Sequence, residues 1–495
     1  MRQFCLLFVC LFLFPSTSLQ ADKRPNIVFL LADDQAVRSM GCYHAPGART
    51  PHLDQLAKEG MVFDAHYDTT AICMASRVNI MTGRFEYRTG CNFEHGPLIQ
   101  ELWDRSYPML LRRAGYQTAF AGKFGFVVAP EPEGKGSLPE SDFDAWGGGP
   151  GQTSYNTAKN KSMAVYAKEY PHSTRSYGAF GRDFIRKAAK SDLPFCLSIS
   201  FKAPHHPVQP DPEFDHVYQG MTFSKPTNYG RQAGLHFSRQ SQQGRQYERF
   251  DSWHYRDDYD KTIALYYQQI FAIDVAVGMI RTALEEAGVS DDTVVIYTSD
   301  NGFMNGAHGY GSKVLPYEES SRVPLIMYIP GHENSGQRLR CQSLTGNVDF
   351  LPTILELAGV NVPPGVDGKS LLSLYDDPKK TTHQSLPLIN VWGPPAVHSL
   401  AVVTANAKYI YWPWAEGNFE PAEELYDLEQ DRMELSNIAK AQSRKGQLLE
   451  MRALYDRWHK DWVDRGLKFH RYQPFDTIFD RMVDWQKKRV LYQLR

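Results

Sequence analysis

Four apolar runs are each followed by side chains with chemistry to offer. Asp33-Asp34 follows "NIVFLLA" (26–32), and Lys123 follows "QTAFAG" (117–122). "KAPHHP", with His205 and His206, comes directly after "PFCLSISF" (194–201), and Asp300-Asn301 follows "TVVIYTS" (293–299). Asp33, Asp34, Asp300 and Asn301 supply only oxygen donors, a set suited to calcium or magnesium rather than zinc or copper. Lys123, Arg77 and, in "AHGYGSK", Lys313 are cations able to hold an anion beside such a metal. His205 or His308 can exchange a proton with a leaving group. A hard metal, cations and an imidazole describe a site for phosphoryl or sulfuryl ester transfer that lacks only a nucleophile. Cys73, in "AICMASRVNIMTGR" (71–84), is the candidate. The run after it opens a helix, so a group there feels unpaired N–H donors and the positive end of the dipole. Taken singly, each motif has an ordinary reading as a solvated turn, a surface lysine or a tight Asp-Asn-Gly turn. Their coincidence at strand ends is what argues for a site.

Such groups need a scaffold that delivers them to one rim. The runs at 26–32, 117–122, 194–201, 293–299 and 323–329 read as buried strands. Helical patterns fall between them: "SYPMLLRRAG" ahead of 117 and "RDFIRKAAK" ahead of 194. A longer one before 293 sets Ile263, Tyr267, Ile270, Ile273, Val277, Ile280 and Leu284 on one stripe, with Gly288 as its stop. This alternation predicts an α/β fold, a large, mostly parallel sheet sandwiched by helices. In open parallel sheets ligands bind beyond the carboxyl ends of the strands. After about residue 375 the sequence becomes extended and turn-rich and then helical. The expected organisation is a catalytic domain over 22–375 and a smaller C-terminal α+β domain over 376–495.

Lys and Arg (54) nearly balance Asp and Glu (56), so no strong field marks the chain for nucleic acid or an anionic membrane. Residues 1–21 combine a basic start, an apolar run of about a dozen residues and small residues after it, the pattern of a secretory signal peptide. A membrane span needs roughly 20 apolar residues, and no later segment reads as one, so the expected location is secreted or periplasmic. Past the signal, Cys42, Cys73, Cys91, Cys196 and Cys341 remain. An odd number in an exported chain points to a free or modified thiol. Cys196, inside an apolar run, reads as core; otherwise the four besides Cys73 can form two disulfides in three ways, or none. No CxxC pair suggests a thiolate zinc site. The one sequon, Asn160-Lys161-Ser162, tilts the reading toward a bacterial exported protein.

Cys73-Met74-Ala75-Ser76-Arg77, followed by Met81-Thr82-Gly83-Arg84, resembles the type I sulfatase signature C-x-P/A-S-R…T-G-R of the alkaline phosphatase-like superfamily. Other stretches resemble that family's landmarks in order: "RPNIVFLLADD", "RTPHLDQLAKEGMVF", "AGYQTAFAGK", "APHHP", "TSDNG", "HGYGSK", "VDFLPTILELAG" and "ELYDLEQD". The resemblance implies that a formylglycine-generating maturation enzyme oxidises Cys73 to 3-oxoalanine (Cα-formylglycine), a soft thiol becoming a hard-oxygen diol. It further implies one calcium ion held by Asp33, Asp34, residue 73, Asp300 and Asn301. By similarity a hydroxyl of hydrated residue 73 attacks sulfur while Arg77 holds the diol. Lys123 and Lys313 clamp the sulfate, His205 protonates the leaving oxygen, and His308 contacts the substrate. The expected substrate is a sulfated carbohydrate, and nine Trp and 27 Tyr suit stacking on sugars. Two departures stand out. The family's G-K-W-H reads Gly122-Lys123-Phe124-Gly125, so the histidine that helps deprotonate the diol is missing. Either His308 or a metal-bound water substitutes, or the enzyme is slow or inactive. Ala75 replaces the commoner proline, which bears on which maturation enzyme accepts the site. Two rivals remain open: a phosphonate or phosphodiester hydrolase of the same superfamily, and a non-catalytic binder of sulfated glycans.

Overall fold

The computed structural model describes residues 24–493, so the signal-peptide reading over 1–21 lies outside the described residues. Eight strands form the main sheet: Asn26–Ala32 (β1), Met61–Phe63 (β2), Gln117–Lys123 (β3), Ala145–Gly149 (β4), Phe195–Ser200 (β5), Thr293–Ser299 (β6), Leu325–Tyr328 (β7) and Arg340–Cys341 (β8). Their spatial order is β8-β2-β7-β6-β1-β5-β3-β4. From β6 to β4 every neighbouring pair is parallel, whereas β7 runs antiparallel to both β6 and β2. The architecture is therefore the expected α/β sandwich with a mixed edge. The run at 323–329 shrinks to 325–328 as Pro324, which has no N–H to donate, stays outside the ladder. Strands β2, β4 and β8 carry little sequence signal: two are only two or three residues long, and β4 reads Ala-Trp-Gly-Gly-Gly.

Helices cover both faces: Pro51–Glu59 (α1), Cys73–Thr82 (α2), Tyr107–Arg113 (α3), Ser173–Ala188 (α4), Arg245–Ser252 (α5), Tyr259–Glu286 (α6) and Phe350–Leu357 (α7). Period-two alternation along β1 divides its side chains between them. Ile27, Phe29 and Leu31 join the core with α2, α3 and α7, while Val28, Leu30 and Ala32 join the core with α1, α4 and α6. A strand buried on both faces reads as a continuous apolar run, which is why β1 was legible. Each such Leu, Ile or Phe contributes about 1.5–3 kcal/mol by leaving water.

By length and composition α6 could cross a membrane, contrary to the expectation that no later segment would, but 72% of its apolar window is buried within the protein. It packs against α4 and α1 as a core helix. The predicted stripe from Ile263 to Leu284 is buried throughout, and Gly288 ends the segment at φ +67°, a conformation glycine adopts without strain. A second, antiparallel sheet of Leu386–Asn390 (β9), Ser399–Val403 (β10), Ala407–Trp412 (β11) and Ala422–Asp427 (β12) packs on helix Lys445–Arg465 (α8). Lys408 of β11 ties this sheet to the main body, with Nζ 2.9 Å from both Glu318 and Glu434 in a buried cluster. Cys42, Cys73, Cys91, Cys196 and Cys341 all stand as free thiols, and Cys196 lies in the core. The sequon's Asn160 is buried, its side chain exchanging hydrogen bonds with the Ser154 backbone.

Candidate active site

Sheet register builds the site. Ala32 of β1 pairs with Ser299 of β6, Leu31 with Ser200 of β5, and Gly122 of β3 with Ser200. Residues leaving these four carboxyl ends therefore emerge side by side. Asp33, Asp34, Asp300 and Asn301 are buried there. Asp34 takes φ +72°, a left-handed conformation that costs a non-glycine residue about 1–2 kcal/mol. It is held by its own N–H donating to Asp300 Oδ1 at 3.2 Å and by Asn301 Nδ2 donating to its Oδ1 at 2.7 Å. Such strain persists where surroundings over-determine it, commonly at functional sites.

Cys73 is the first residue of α2, whose first turn has no side-chain cap. Its Sγ accepts from Lys313 Nζ at 3.2 Å, and Lys313 also pairs with Asp34 Oδ1. Lys123 Nζ donates to Asp33 Oδ2 at 2.6 Å. One turn into α2, Arg77 donates from Nε to Asp300 Oδ2 at 2.9 Å and from Nη1 to the Lys123 carbonyl at 2.7 Å and to Ser200 Oγ. Ligand atoms of Asp33, Asp34, Cys73 and His205 all lie within 4.8 Å of one another. Asp33 Oδ1 and Asn301 Oδ1 are buried without a hydrogen-bond partner. Leaving such an acceptor unmet costs about 1–3 kcal/mol, more when it is charged. Two orphaned hard oxygens among carboxylates fit a divalent cation that would satisfy them.

Electrostatics divide the acids. Burial alone would raise Asp33, but Lys123, His205, Arg77 and Lys313 together hold it well below the ordinary carboxyl range. Asp300 is pushed up to about 6 by burial and then by the charge of Asp33, against the pull of Arg77. Burial raises the Cys73 thiol although Lys123 and Lys313 oppose it, so an unmodified residue 73 is protonated at neutral pH. Burial likewise pushes His205 down to about 3 despite Asp34, whose Oδ2 lies 3.8 Å from Nε2, and the ring is neutral.

Nine of the ten candidates, Asp33, Asp34, Cys73, Arg77, Lys123, His205, Asp300, Asn301 and Lys313, converge in this way. His308 does not. Its ring is fully buried, with Nδ1 3.1 Å from the Ala233 carbonyl and Nε2 3.2 Å from Asn228, and it packs on Phe237. Positive φ at His308, Ser312 and Val314 winds the loop so that neighbours in sequence face different ways. Sequence reading passed over Ser200, hidden in an apolar strand, and Lys202, which opens "KAPHHP". Lys202 is buried, donates to the Gln152 carbonyl at 3.0 Å, and lies 4.9 Å from the Tyr155 ring centroid. Gly125, which stands where the motif's histidine is absent, takes φ +91°, and a Cβ there would meet Arg77 Cδ at 2.5 Å. The space beside residue 125 is filled by the arginine.

Comparison with known proteins matches residues 25–360 to the Sulfatase family model. Residues 306–459 match the model described as N-sulphoglucosamine sulphohydrolase, C-terminal. An N-acetylglucosamine-6-O-sulfatase of Bacteroides thetaiotaomicron is 28% identical over 86% of this chain and 86% of its own. An arylsulfatase of Clostridium perfringens is 26% identical over 87% of this chain and 93% of its own. Among solved structures, one in complex with its substrate D-glucosamine-2-N,6-O-disulfate superposes with TM-score 0.71 at 25% identity, covering 89% of this chain and 99% of the other. A phosphonate monoester hydrolase of Agrobacterium radiobacter shares the fold, with TM-score 0.70 at 20% identity over 90% and 96% of the two chains.

Proposed function

The chain belongs to the sulfatase family, and from that membership we propose that it removes sulfate from a sulfated sugar with residue 73 acting as formylglycine beside one calcium ion. The supporting observation is the place of Cys73: buried, first in its helix, 3.2 Å from Lys313 Nζ and clustered with Asp33, Asp34 and His205. A protonated thiol there is a poor nucleophile and a soft group among hard oxygens. Oxidation by a maturation enzyme replaces it with hydroxyls that suit both. One relative and one solved structure are named for amino-sugar sulfates, and we take an amino-sugar sulfate as the substrate to test first. We read the protein as exported.

Asp33, Asp34, Asp300 and Asn301, with residue 73, would hold the cation, which supplies Lewis-acid polarisation of an ester oxygen when bound. Arg77, fixed on Asp300 and on the carbonyl of Lys123, keeps the first turn of α2 in register with β3. Lys123 and Lys313 place positive charge where the sulfuryl oxygens gain negative charge in the transition state. His205 starts neutral, and as the anionic ester arrives and raises its proton affinity the ring takes up a proton from solvent. The imidazolium then delivers its proton to the leaving sugar oxygen.

The test is sulfate release from N-acetylglucosamine-6-sulfate by protein matured in its native host, with mass spectrometry of the 71–84 peptide. We expect an aldehyde at residue 73, loss of turnover in Cys73→Ala, and loss on chelation that added calcium reverses. Asp300→Ala should weaken calcium binding in calorimetry. Full turnover by protein whose every 71–84 peptide carries a thiol overturns the nucleophile. A preference for a phosphonate monoester measured in parallel overturns the substrate class.

A further inference from the structure

Helix α5 carries two arginines one turn apart, Arg245 and Arg249, that take no part in the set above. Neither lies within ion-pair distance of a carboxylate among the described residues, yet both border the site. Arg249 Nη1 donates to Ser312 Oγ at 2.9 Å, next to Lys313, which touches Cys73. Its guanidinium lies 4.2 Å from the Trp253 ring centroid, and Trp253 stacks at 3.8 Å on His206, the neighbour of His205. Arg245 lies 4.2 Å from the ring centroid of Trp392. Trp392 in turn packs with Ile72, Ala75 and Val314, residues that flank Cys73 and Lys313. Beside it opens a cavity of about 310 Å³ lined by Arg245, Gln246, Glu94 and Trp392, within the size range of small-ligand sites. Glu94 Oε1 accepts from the Gly393 N–H at 3.2 Å.

A guanidinium stacked on an indole is oriented and keeps its N–H edge free for a planar or tetrahedral oxyanion. Burial lowers the proton affinity of both arginines, Arg249 to about 10, so each retains its charge while partly stripped of water. Carboxylates act on both only at longer range, Glu94 on Arg245 and Asp34 and Glu248 on Arg249, so two unpaired cations beside an ester-cleaving centre leave room for charge from the ligand.

We propose that Arg245 and Arg249, backed by Trp392 and Trp253, form a second oxyanion subsite, so that the enzyme selects saccharides bearing another sulfate, sulfamate or carboxylate near the ester it cleaves. This rests on the reading of the Cys73 centre as the sulfate-ester site. Glucosamine carrying N- and 6-O-sulfates, N-acetylglucosamine-6-sulfate, a uronate-linked 6-sulfated disaccharide and 4-nitrophenyl sulfate separate the possibilities. Wild type should favour one of the doubly anionic sugars over the N-acetyl sugar, and which one identifies the second group. Arg245→Ala and Arg249→Ala should each lower kcat/KM on that sugar about tenfold or more, the worth of one charge-assisted contact. The loss on the N-acetyl sugar should be several-fold smaller. Arg245→Lys should recover only part, as an ammonium restores charge without the bidentate fork. Equal losses on singly and doubly anionic sugars, or an unchanged ratio in the double variant, overturn the subsite. A wild type that releases sulfate from none of the four esters overturns the proposed function itself, a result read before any variant is made.

Discussion

Gly125 offers a sharp test, as two lines of reasoning about it predict opposite results. If the histidine absent from this position were merely lost, Gly125→His would raise turnover. The structure argues the reverse. Residue 125 sits at φ +91°, and an added Cβ would lie 2.5 Å from Arg77 Cδ and 3.2 Å from Nε. A left-handed conformation costs an L-residue about 1–2 kcal/mol, and overpacking a filled space adds about 1–3 kcal/mol. Together Gly125→Ala should destabilise by roughly 2–5 kcal/mol. Relief comes only by moving Arg77, which is held at 2.9 Å on Asp300 and 2.7 Å on the Lys123 carbonyl. A displacement of about 1 Å in such a group can cost on the order of 100-fold in rate. Denaturant melts and kcat on 4-nitrophenyl sulfate, for Gly125→Ala and Gly125→His side by side, give the measurement. Wild-type stability with equal or higher kcat in either variant would refute the reasoning and return the missing histidine to the centre of the account.

His205→Ala should lose about 10²–10⁴-fold on a sugar sulfate and far less on nitrophenyl sulfate, whose anion leaves unaided. His206→Ala, stacked on Trp253, should show no such contrast, and equal losses for His205→Ala on both esters would make it a sulfate-binding group. Away from the site, Glu86 is buried and pushed up to about 7 by desolvation, although Tyr472 and Asn92 donate to it. Its folded state therefore holds the proton more tightly than the unfolded chain does. The stability this brings is full below the ordinary pKa of 4.5 and is lost as pH rises through about 7. Between pH 5 and 8 the stability gap should move in favour of Glu86→Gln by up to about 3 kcal/mol, and a pH-independent gap would show that Glu86 titrates normally.

The central strands were readable because burial on both faces leaves a long apolar run, and the polar groups ending them stood out against it. Parallel register then did the rest: adjacent strand ends deliver their residues together without any contact being specified in the sequence. His308 lies apart from the cluster for the opposite reason. Its closeness to Lys313 in "HGYGSK" is local, and the left-handed residues between them turn the ring toward Phe237. Arg245 and Trp392 are almost 150 positions apart and meet only because α5 and the segment after β9 pack over the start of α2. No periodicity or motif announces a meeting of that kind. The absence at Gly125 was visible as a letter, but the arginine occupying the space was not.

Asp33, Asp34 and Asp300 are each paired with a buried cation, Lys123, Lys313 and Arg77 in turn, and buried Lys202 adds a fourth positive charge close by. That balance of charge has a thermodynamic consequence. A divalent ion held by these carboxylates would add two positive charges to a site with no net negative charge to offset them, and an incoming anion would neutralise part of that excess. Ion and anion would thus be mutual effectors: whatever factor the metal added to sulfate affinity, sulfate would return to the metal. Free sulfate, the product, would then slow the escape of the metal, and a chelator would strip the protein faster in chloride than in sulfate at equal ionic strength.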